Sequence, residues 1–552
     1  MTADTGALRA IIIGIDGGSW PLVDEWTQGG LLPNLASLRA RGISGPLTST
    51  TPPYTPPAWS TFMTGCNPGR HGIYDFVAYT GESYRPRLIS GAHRSVPSLW
   101  RILSDAGLRV GVINVPFTYP PEEVNGYMIS GMDAPGFEER SVYPKDIYAE
   151  VHAHFPDYNM APVARKGESY DLDALSSQVD TLVGVALHLQ ETRPVDVLAI
   201  VFSGSDHVSH RCWRTRRVQW RGRTVDDVLL WMYQRIDQAI GRLLELAPGD
   251  SLKLVLSDHG FMGIETILNL NGALRDAGLL YYHSAETSSD SKGPFRRVLS
   301  AVRATAKRTL SLDSQRWLMR KIVAVRRLNW HLREAEIDWE RTAIFTSGPF
   351  GMLRLNQRDR EPKGWVEPGK MADEVLQRAE TALAALRDPQ SNAPLVSRLG
   401  RREEFYEGDR ADEGPDAVVV LRPDSGCYLP PPLQGASTPA LLSAEEGSRE
   451  YGLHHEGTHA FDGVIIGTGG KALQGQPVRA ALADLSPSLL AALDLPVPKH
   501  MDGRLIPELC GVTEAPSQSR YEGRTDLPPK AATYSEADEE KLEEHLRSLG
   551  YM

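Results

Sequence analysis

The chain of 552 residues is predicted to be an α/β protein: a mostly parallel central sheet with helices on both faces, plus a helical insertion. Three observations predict this. Short apolar runs recur along the chain and read as buried strands. Longer amphipathic stretches separate them, the pattern of a parallel sheet covered on both sides. Aspartates stand where several runs should end, at the carboxyl edge where such sheets collect functional groups.

The first run, Ile11-Ile12-Ile13-Gly14-Ile15, closes on Asp16-Gly17-Gly18. The segment Thr51 to Gly65 follows. Pro56 and Pro57 fix backbone dihedrals there and push Thr55 out of the helical region, so a helix should start near Ala58 and end at Gly65. Thr55 would sit at its N-terminus, where the dipole and free N–H groups favour an anion. Arg109 to Val115 and Val195 to Phe202 read as strands, the second leading into Asp206-His207-Val208-Ser209-His210. A helix is expected from Thr224 to Leu246, and a strand from Leu252 to Ser257 ends at Asp258-His259-Gly260. Late in the chain Ala417 to Leu421 and Gly463 to Gly467 read as strands, with Gly457-Thr458-His459 just before the latter.

Residues 276–340 break the pattern. After a polar stretch from Ser284 to Gly293, residues Arg296 to Arg333 carry eleven Lys or Arg against one acid, Asp313, with apolar positions at helical spacing. They are expected to form a basic helical insertion or cap over or beside the functional edge, either a solvated lid, an anion-selecting element or a peripheral membrane contact. The catalytic α/β domain is then discontinuous, 8–275 and 341–510. Residues 511–552 are expected to be a strap with a docking helix that packs on the body or on a second subunit. Ser535-Glu536-Ala537-Asp538 has the form of a capping box, Leu542, Leu546 and Leu549 give one apolar face, and Gly550 is a stop signal.

Composition sets bounds on function. Hydrophobic content of 41% and charged content of 23% are ordinary for a globular protein. A net charge of −11 argues against a nucleic-acid polymer as partner. No apolar run approaches the ~18–20 residues of a membrane span, and the polar, acidic start Met1-Thr2-Ala3-Asp4-Thr5 is unlike a signal peptide. Cys66, Cys212, Cys427 and Cys510 are scattered, which predicts free thiols and a cytoplasmic protein.

The chemistry lies in the clusters at the strand ends. Asp16, Asp206 and Asp258 with His210, His259 and His459 offer three carboxylates and three imidazoles, enough to hold two divalent ions. Asp206 and His210 are four apart and share a helix face. Oxygen and nitrogen donors of this kind suit Zn²⁺, or Mn²⁺. His207, His454 and His455 read as surface or supporting histidines. Thr55 supplies a hydroxyl that becomes a competent nucleophile once its proton is removed, an activation a metal can provide.

The ordered set resembles the alkaline phosphatase superfamily and, within it, the type I phosphodiesterase/nucleotide pyrophosphatase branch. The likeness rests on Gly14-Ile15-Asp16-Gly17, Thr55-Pro56-Pro57 through Thr64-Gly65-Cys66-Asn67-Pro68-Gly69-Arg70-His71-Gly72-Ile73, Asp206 to His210, Ser257-Asp258-His259-Gly260 and Gly457-Thr458-His459. Asp484 to Leu490 and Met501-Asp502-Gly503-Arg504 fit as well, so it spans roughly residues 8 to 510. It implies an alkaline phosphatase-like fold and two metal sites, one from Asp206, His210 and His459, the other from Asp16, Asp258 and His259 with Thr55 as nucleophile. It also implies a phospho-threonine intermediate and a small anionic phosphoester as substrate, a diester or pyrophosphate. A phosphomonoesterase, phosphomutase or phosphonate hydrolase on the same site is the alternative. A non-catalytic phosphate- or lipid-binding protein is less favoured. Where related pyrophosphatases resemble Thr-Phe-Pro-Asn, this chain has Thr55-Pro56-Pro57-Ala58 and lacks the amide that would hold a phosphoryl oxygen. Cys66-Asn67-Pro68-Gly69-Arg70 fits the bare sulfatase pattern but follows Thr64-Gly65 instead of preceding it, which reads as coincidence.

Overall fold

The computed structural model describes residues 7–160, 171–283, 336–423, 425–433, 435–514, 518–519 and 534–549. Its main sheet contains, in chain order, β1 (Ala10–Ile15), β2 (Ile43–Thr48), β3 (Val110–Val115), β4 (Gly126–Ser130), β5 (Val142–Tyr143), β6 (Val197–Phe202), β7 (Leu252–Leu256), β8 (Asp462–Thr468) and β9 (Gln476–Pro477). Across the sheet the order is β9-β2-β8-β7-β1-β6-β3-β4-β5, and Ala480–Ala481 also pairs with β2. The five strands from β7 to β4 run parallel, with β1 between β7 and β6. β8 is antiparallel to both neighbours and β5 to β4. The sheet is mostly parallel, and the pairings of β8 and β5 are its antiparallel departures.

Every residue of β1, β6 and β7 is buried. The side chains alternate between two cores, as the strand period demands. Ile11, Ile13, Ile15, Leu198, Ile200 and Phe202 pack with α2 (Leu172–Thr192) and α4 (Val228–Leu244). Ala10, Ile12, Val112, Leu254 and Leu256 face the other way, toward Trp59 and Phe62 of α1 (Thr55–Thr64). The remaining labelled helices are α3 (Gly204–Cys212) and α5 (Glu536–Leu549). Gly14 permits close packing of the two layers: a Cβ there would lie 2.5 Å from the Trp59 ring.

Three elements differ from expectation. α1 begins at Thr55 instead of near Ala58, with Pro56 and Pro57 inside its first turn, where their missing N–H groups cost no helical bond. The helix expected from Thr224 starts at Val228, because Arg223–Val225 pairs with Val218–Trp220 around Arg221 and Gly222, both at positive φ. That two-residue turn is a strong hairpin former, and the helix begins only where Asp227 caps it by accepting from Leu230 N at 3.0 Å. The run Ala417–Leu421 joins a separate four-stranded antiparallel sheet, with Ile344–Thr346, Met352–Leu355 and Val396–Arg401, instead of the main one. An apolar run fixes burial but not which sheet buries it.

The basic stretch Arg296 to Arg333 lies outside the described residues. The described residues on either side of this stretch meet: Tyr282 bridges Ile337, and His283 N donates to Glu336 O at 2.9 Å. Leu279, Leu280 and Trp339 are buried in the core beside the four-stranded sheet. Most of the strap and Gly550 also lie outside the described residues, but α5 docks on the body. Leu542 and Leu546 are buried with Tyr54, Phe76 and Phe350. Ser535 and Asp538 form the expected reciprocal cap, Ser535 N donating to Asp538 Oδ2 at 3.0 Å and Asp538 N to Ser535 Oγ at 3.3 Å. No described helix is long and apolar enough to cross a membrane. The four cysteines are free and buried.

Candidate metal centre

Three adjacent parallel strands deliver the carboxylates. Asp16 directly follows β1, Asp258 follows β7, and Asp206 lies in the first turn of α3, just beyond β6. Backbone bonds lock these ends together. Asp16 N donates to Phe202 O at 2.9 Å, and Ser205 Oγ donates to Asp16 O at 2.6 Å. Gly17 N donates to Asp258 Oδ1 at 3.1 Å; Gly17 has φ +64° and a Cβ there would lie 2.5 Å from Phe261, so only glycine fits this turn without strain. His459 arrives from a short strand, Gly457–Ala460, that pairs with Gly260–Gly263 and sets His459 opposite Phe261.

The structure brings all seven predicted residues into one buried cluster. Asp16, Thr55, Asp206, His210, Asp258, His259 and His459 are each at most 3% exposed. Ligand atoms of Asp206, His259 and His459 lie within 4.8 Å of one another, as do those of Asp16, Asp258 and His259, so His259 joins the two groups. His210 Nε2 is 3.4 Å from Asp206 Oδ1 and 3.0 Å from His459 Nε2. Thr55 Oγ1 lies 3.3 Å from His259 Nε2, at the N-terminus of α1.

The hydrogen bonds set the histidine tautomers. Nδ1 of His210, His259 and His459 meets the backbone carbonyls of Gly457, Gly260 and Pro53 at 3.1, 3.1 and 2.9 Å. A carbonyl only accepts, so each Nδ1 carries the proton and each Nε2 presents a lone pair, the form in which histidine binds metal. Burial holds His259 and His459 down at about 4, so both are neutral at pH 7. Their Nε2 lone pairs then face other acceptors: Asp258 Oδ2 lies 3.2 Å from His259 Nε2, and His459 Nε2 faces His210 Nε2. Asp16 Oδ1 and Asp258 Oδ2 have no hydrogen-bond partner among the described residues.

The carboxylates show the same strain. Burial, and then the negative charge of Asp258 and Asp206, push Asp16 well above the usual carboxylate range. Burial raises Asp258 to about 6. Acceptors packed against acceptors in a buried space are costly unless a cation lies between them. The donor set therefore fits divalent ions.

Several motif residues act as supports. His71 Nδ1 accepts from Ile73 N at 3.1 Å, so its Nε2–H donates to Thr61 Oγ1 at 3.0 Å and braces α1. Asp502 accepts from Asn67 N at 2.9 Å and Arg70 Nε at 3.0 Å, tying down the chain after that helix. Cys66 lies there too, at the end of α1 opposite Thr55, about 15 Å along the axis by helix rise. Burial pushes its thiol up to about 12, which keeps it protonated and unreactive. Ala58 belongs to the apolar cluster of Trp59 and Phe62. His454 is exposed and meets Ser448 Oγ at 2.8 Å, whereas His455 packs 4.8 Å from the His210 ring.

An aromatic fence around the cluster was not anticipated from sequence. Phe261 packs on His210, His259 and His459. Phe350 stacks on His459 with ring centroids 4.6 Å apart and lies 4.9 Å from Tyr54, the neighbour of Thr55. Phe350 has φ +57°, a conformation that costs a bulky residue roughly 1–2 kcal/mol. Its only sequence signal is the breaker-rich setting Gly348-Pro349-Phe350-Gly351.

The family model described as type I phosphodiesterase / nucleotide pyrophosphatase matches residues 10–425. The chain belongs to this family. The match covers Asp16, Thr55, Asp206, His210, Asp258 and His259, while His459 lies beyond its end. No curated protein sequence matches the chain. Among solved structures, human ectonucleotide pyrophosphatase/phosphodiesterase 5 is similar with a TM-score of 0.48 and 11% identity, over 90% of this chain and 97% of that one. The murine protein, as an inactive threonine-to-alanine variant in complex with AMP, gives 0.48 and 12%, over 88% and 95%. Without the substitution it gives 0.47 and 13%, over the same shares, 88% and 95%. These structures are too distant to bear on residue roles. Membership of the type I phosphodiesterase family makes the chain a phosphodiesterase or pyrophosphatase-type hydrolase by descent.

Proposed function

We propose that the protein is a two-metal phosphodiesterase in which Thr55 attacks phosphorus. The observation that carries this reading is the position of the Thr55 hydroxyl, 3.3 Å from His259, the histidine whose ligand atom belongs to both groups of metal-binding side chains. Asp206, His210 and His459 would hold one ion and Asp16, Asp258 and His259 the other, with Thr55 beside the second. Zinc or manganese bound there would neutralise phosphoryl charge and lower the pKa of the attacking hydroxyl.

The chain's own groups do the rest. Thr55 Oγ1 is held at a helix N-terminus, where the dipole favours the approaching phosphate. The bond from Oγ1 to phosphorus forms as the bond to the leaving alcohol breaks, and the alcohol oxygen takes up a proton. Water then releases the product from the phospho-threonine, which for a diester still carries the retained ester group. The family match over residues 10–425 favours a diester or pyrophosphate over a monoester as substrate.

The test is a trapping experiment. Protein supplied with zinc and a chromogenic phosphodiester is quenched in acid, digested and sequenced by mass spectrometry. A phosphoryl group on Thr55 that still carries the retained ester, absent without substrate, is the expected result. Turnover with no adduct at Thr55 under any quench time, in a protein whose Thr55→Ala variant is equally active, would remove the threonine from the mechanism.

A further inference from the structure

We infer that the cavity beside His459 seats a hydrocarbon-rich leaving alcohol of the substrate, with Phe350 as the residue that selects it. The inference rests on the phosphodiesterase reading and adds the class of alcohol. Phosphoryl transfer from an ester to Thr55 puts the leaving oxygen roughly in line with, and opposite, Thr55 Oγ1. Thr55 adjoins His259, so the opposite side is that of Asp206, His210 and His459. His459 is the shared wall between this side and the cavity of about 410 Å³.

The chemistry of the walls is mostly carbon. Phe261, Met262, Phe350, Val418 and Leu429 line the cavity, and all but Met262 are buried. The charged groups are at the rim: Arg422 is exposed, and Arg479 is engaged by Asp462 at 3.1 Å. A nucleoside would bring base and sugar polar groups against walls that offer few partners, whereas an alkyl or arylalkyl group would lose only water. Phe350 and Phe261 are the aromatic residues of this wall that touch the ligand cluster, and Phe350 is the one stacked on His459. Its backbone is held at φ +57° by a bond from its N–H to Leu429 O at 3.1 Å, and next to it Gly351 has φ +90°. The ring is thereby fixed flat on His459 between cavity and cluster.

The experiment varies the leaving alcohol at constant acidity. The full chain, supplied with zinc, is given methyl phosphodiesters of phenol and 4-butylphenol, and the released phenol is quantified. A buried methylene favours binding by up to roughly fourfold. The 4-butylphenyl ester should therefore exceed the phenyl ester by about tenfold or more in kcat/KM. Lengthening the retained alkyl group instead should change it far less. Phe350→Ala and Met262→Glu should each compress the leaving-group ratio. Calorimetry with the Thr55→Ala protein gives a readout free of turnover: the butyl ester should bind about tenfold more tightly. Equal kcat/KM and equal binding for the two esters, or a stronger preference for a nucleoside leaving group, overturns the inference and leaves the phosphodiesterase reading standing. Absence of hydrolysis with every ester overturns both.

Discussion

Thr55 is where a single atom decides between mechanisms. Thr55→Ala removes the hydroxyl at the start of α1 and should disturb stability by only about 1 kcal/mol, because the helix is otherwise held by buried Trp59 and Phe62. Turnover should fall by several orders of magnitude while thermal stability and metal content hold. Thr55→Ser keeps an oxygen there and should retain measurable activity. Cys66→Ala should be nearly silent in steady-state kinetics; a large loss would bring back the sulfatase reading. The aspartates of the cluster were legible because each is a polar side chain at or just beyond the end of an apolar run, where only a turn or a site explains it; His210 and His259 share motifs with two of them, and Thr55 and His459 were legible through the family resemblance. Phe261 and Phe350 were not, since an aromatic residue flanked by Gly and Pro reads as a turn or as core and carries no mark of a site. Nor were the Gly457, Gly260 and Pro53 carbonyls that orient the histidines, because a backbone acceptor carries no mark in sequence.

At the scale of elements, α5 binds through a small apolar face and an ion pair. Leu542 and Leu546 are buried, contributing roughly 1.5–3 kcal/mol each as an upper bound. Asp538 receives both terminal nitrogens of Arg140 at 2.6 Å. The Arg140 guanidinium holds the Asp538 carboxyl well below its ordinary range. A depressed carboxylate stabilises the docked state above its unfolded pKa of about 3.9, and that contribution is lost as pH falls through the folded value. Arg140 is 44% exposed on its side chain, so the effect is modest beside the leucines. Amide exchange of residues 536–546 should therefore be slow at pH 7 and accelerate, beyond the intrinsic rate, as pH is lowered below about 4. Asp538→Asn should show raised exchange already at pH 7 and little further change on acidification. Identical protection of both proteins at every pH would mean that the pair contributes nothing to docking. The capping box and the leucine spacing made this helix legible, but its partner surface was not, because Arg140, Tyr54 and Phe350 come from three distant segments.

At the scale of the molecule, the sheet was legible where burial is complete. β1, β6 and β7 are central strands whose side chains pack on both faces, so they appear in sequence as unbroken apolar runs. Direction and partnership were not legible in the same way. β8 reads like the others but enters antiparallel, and Ala417–Leu421 belongs to a second sheet; both outcomes depend on where the chain returns from, which no local pattern encodes. What the topology achieves is the gathering of three strand-end aspartates around histidines whose Nε2 atoms face them. Metal content tests most directly whether that cluster is a two-ion centre. Elemental analysis of fully active protein should give close to two divalent ions per chain, and Asp258→Ala should give close to one with activity lost. Full activity in protein that holds at most one ion would contradict the two-metal centre.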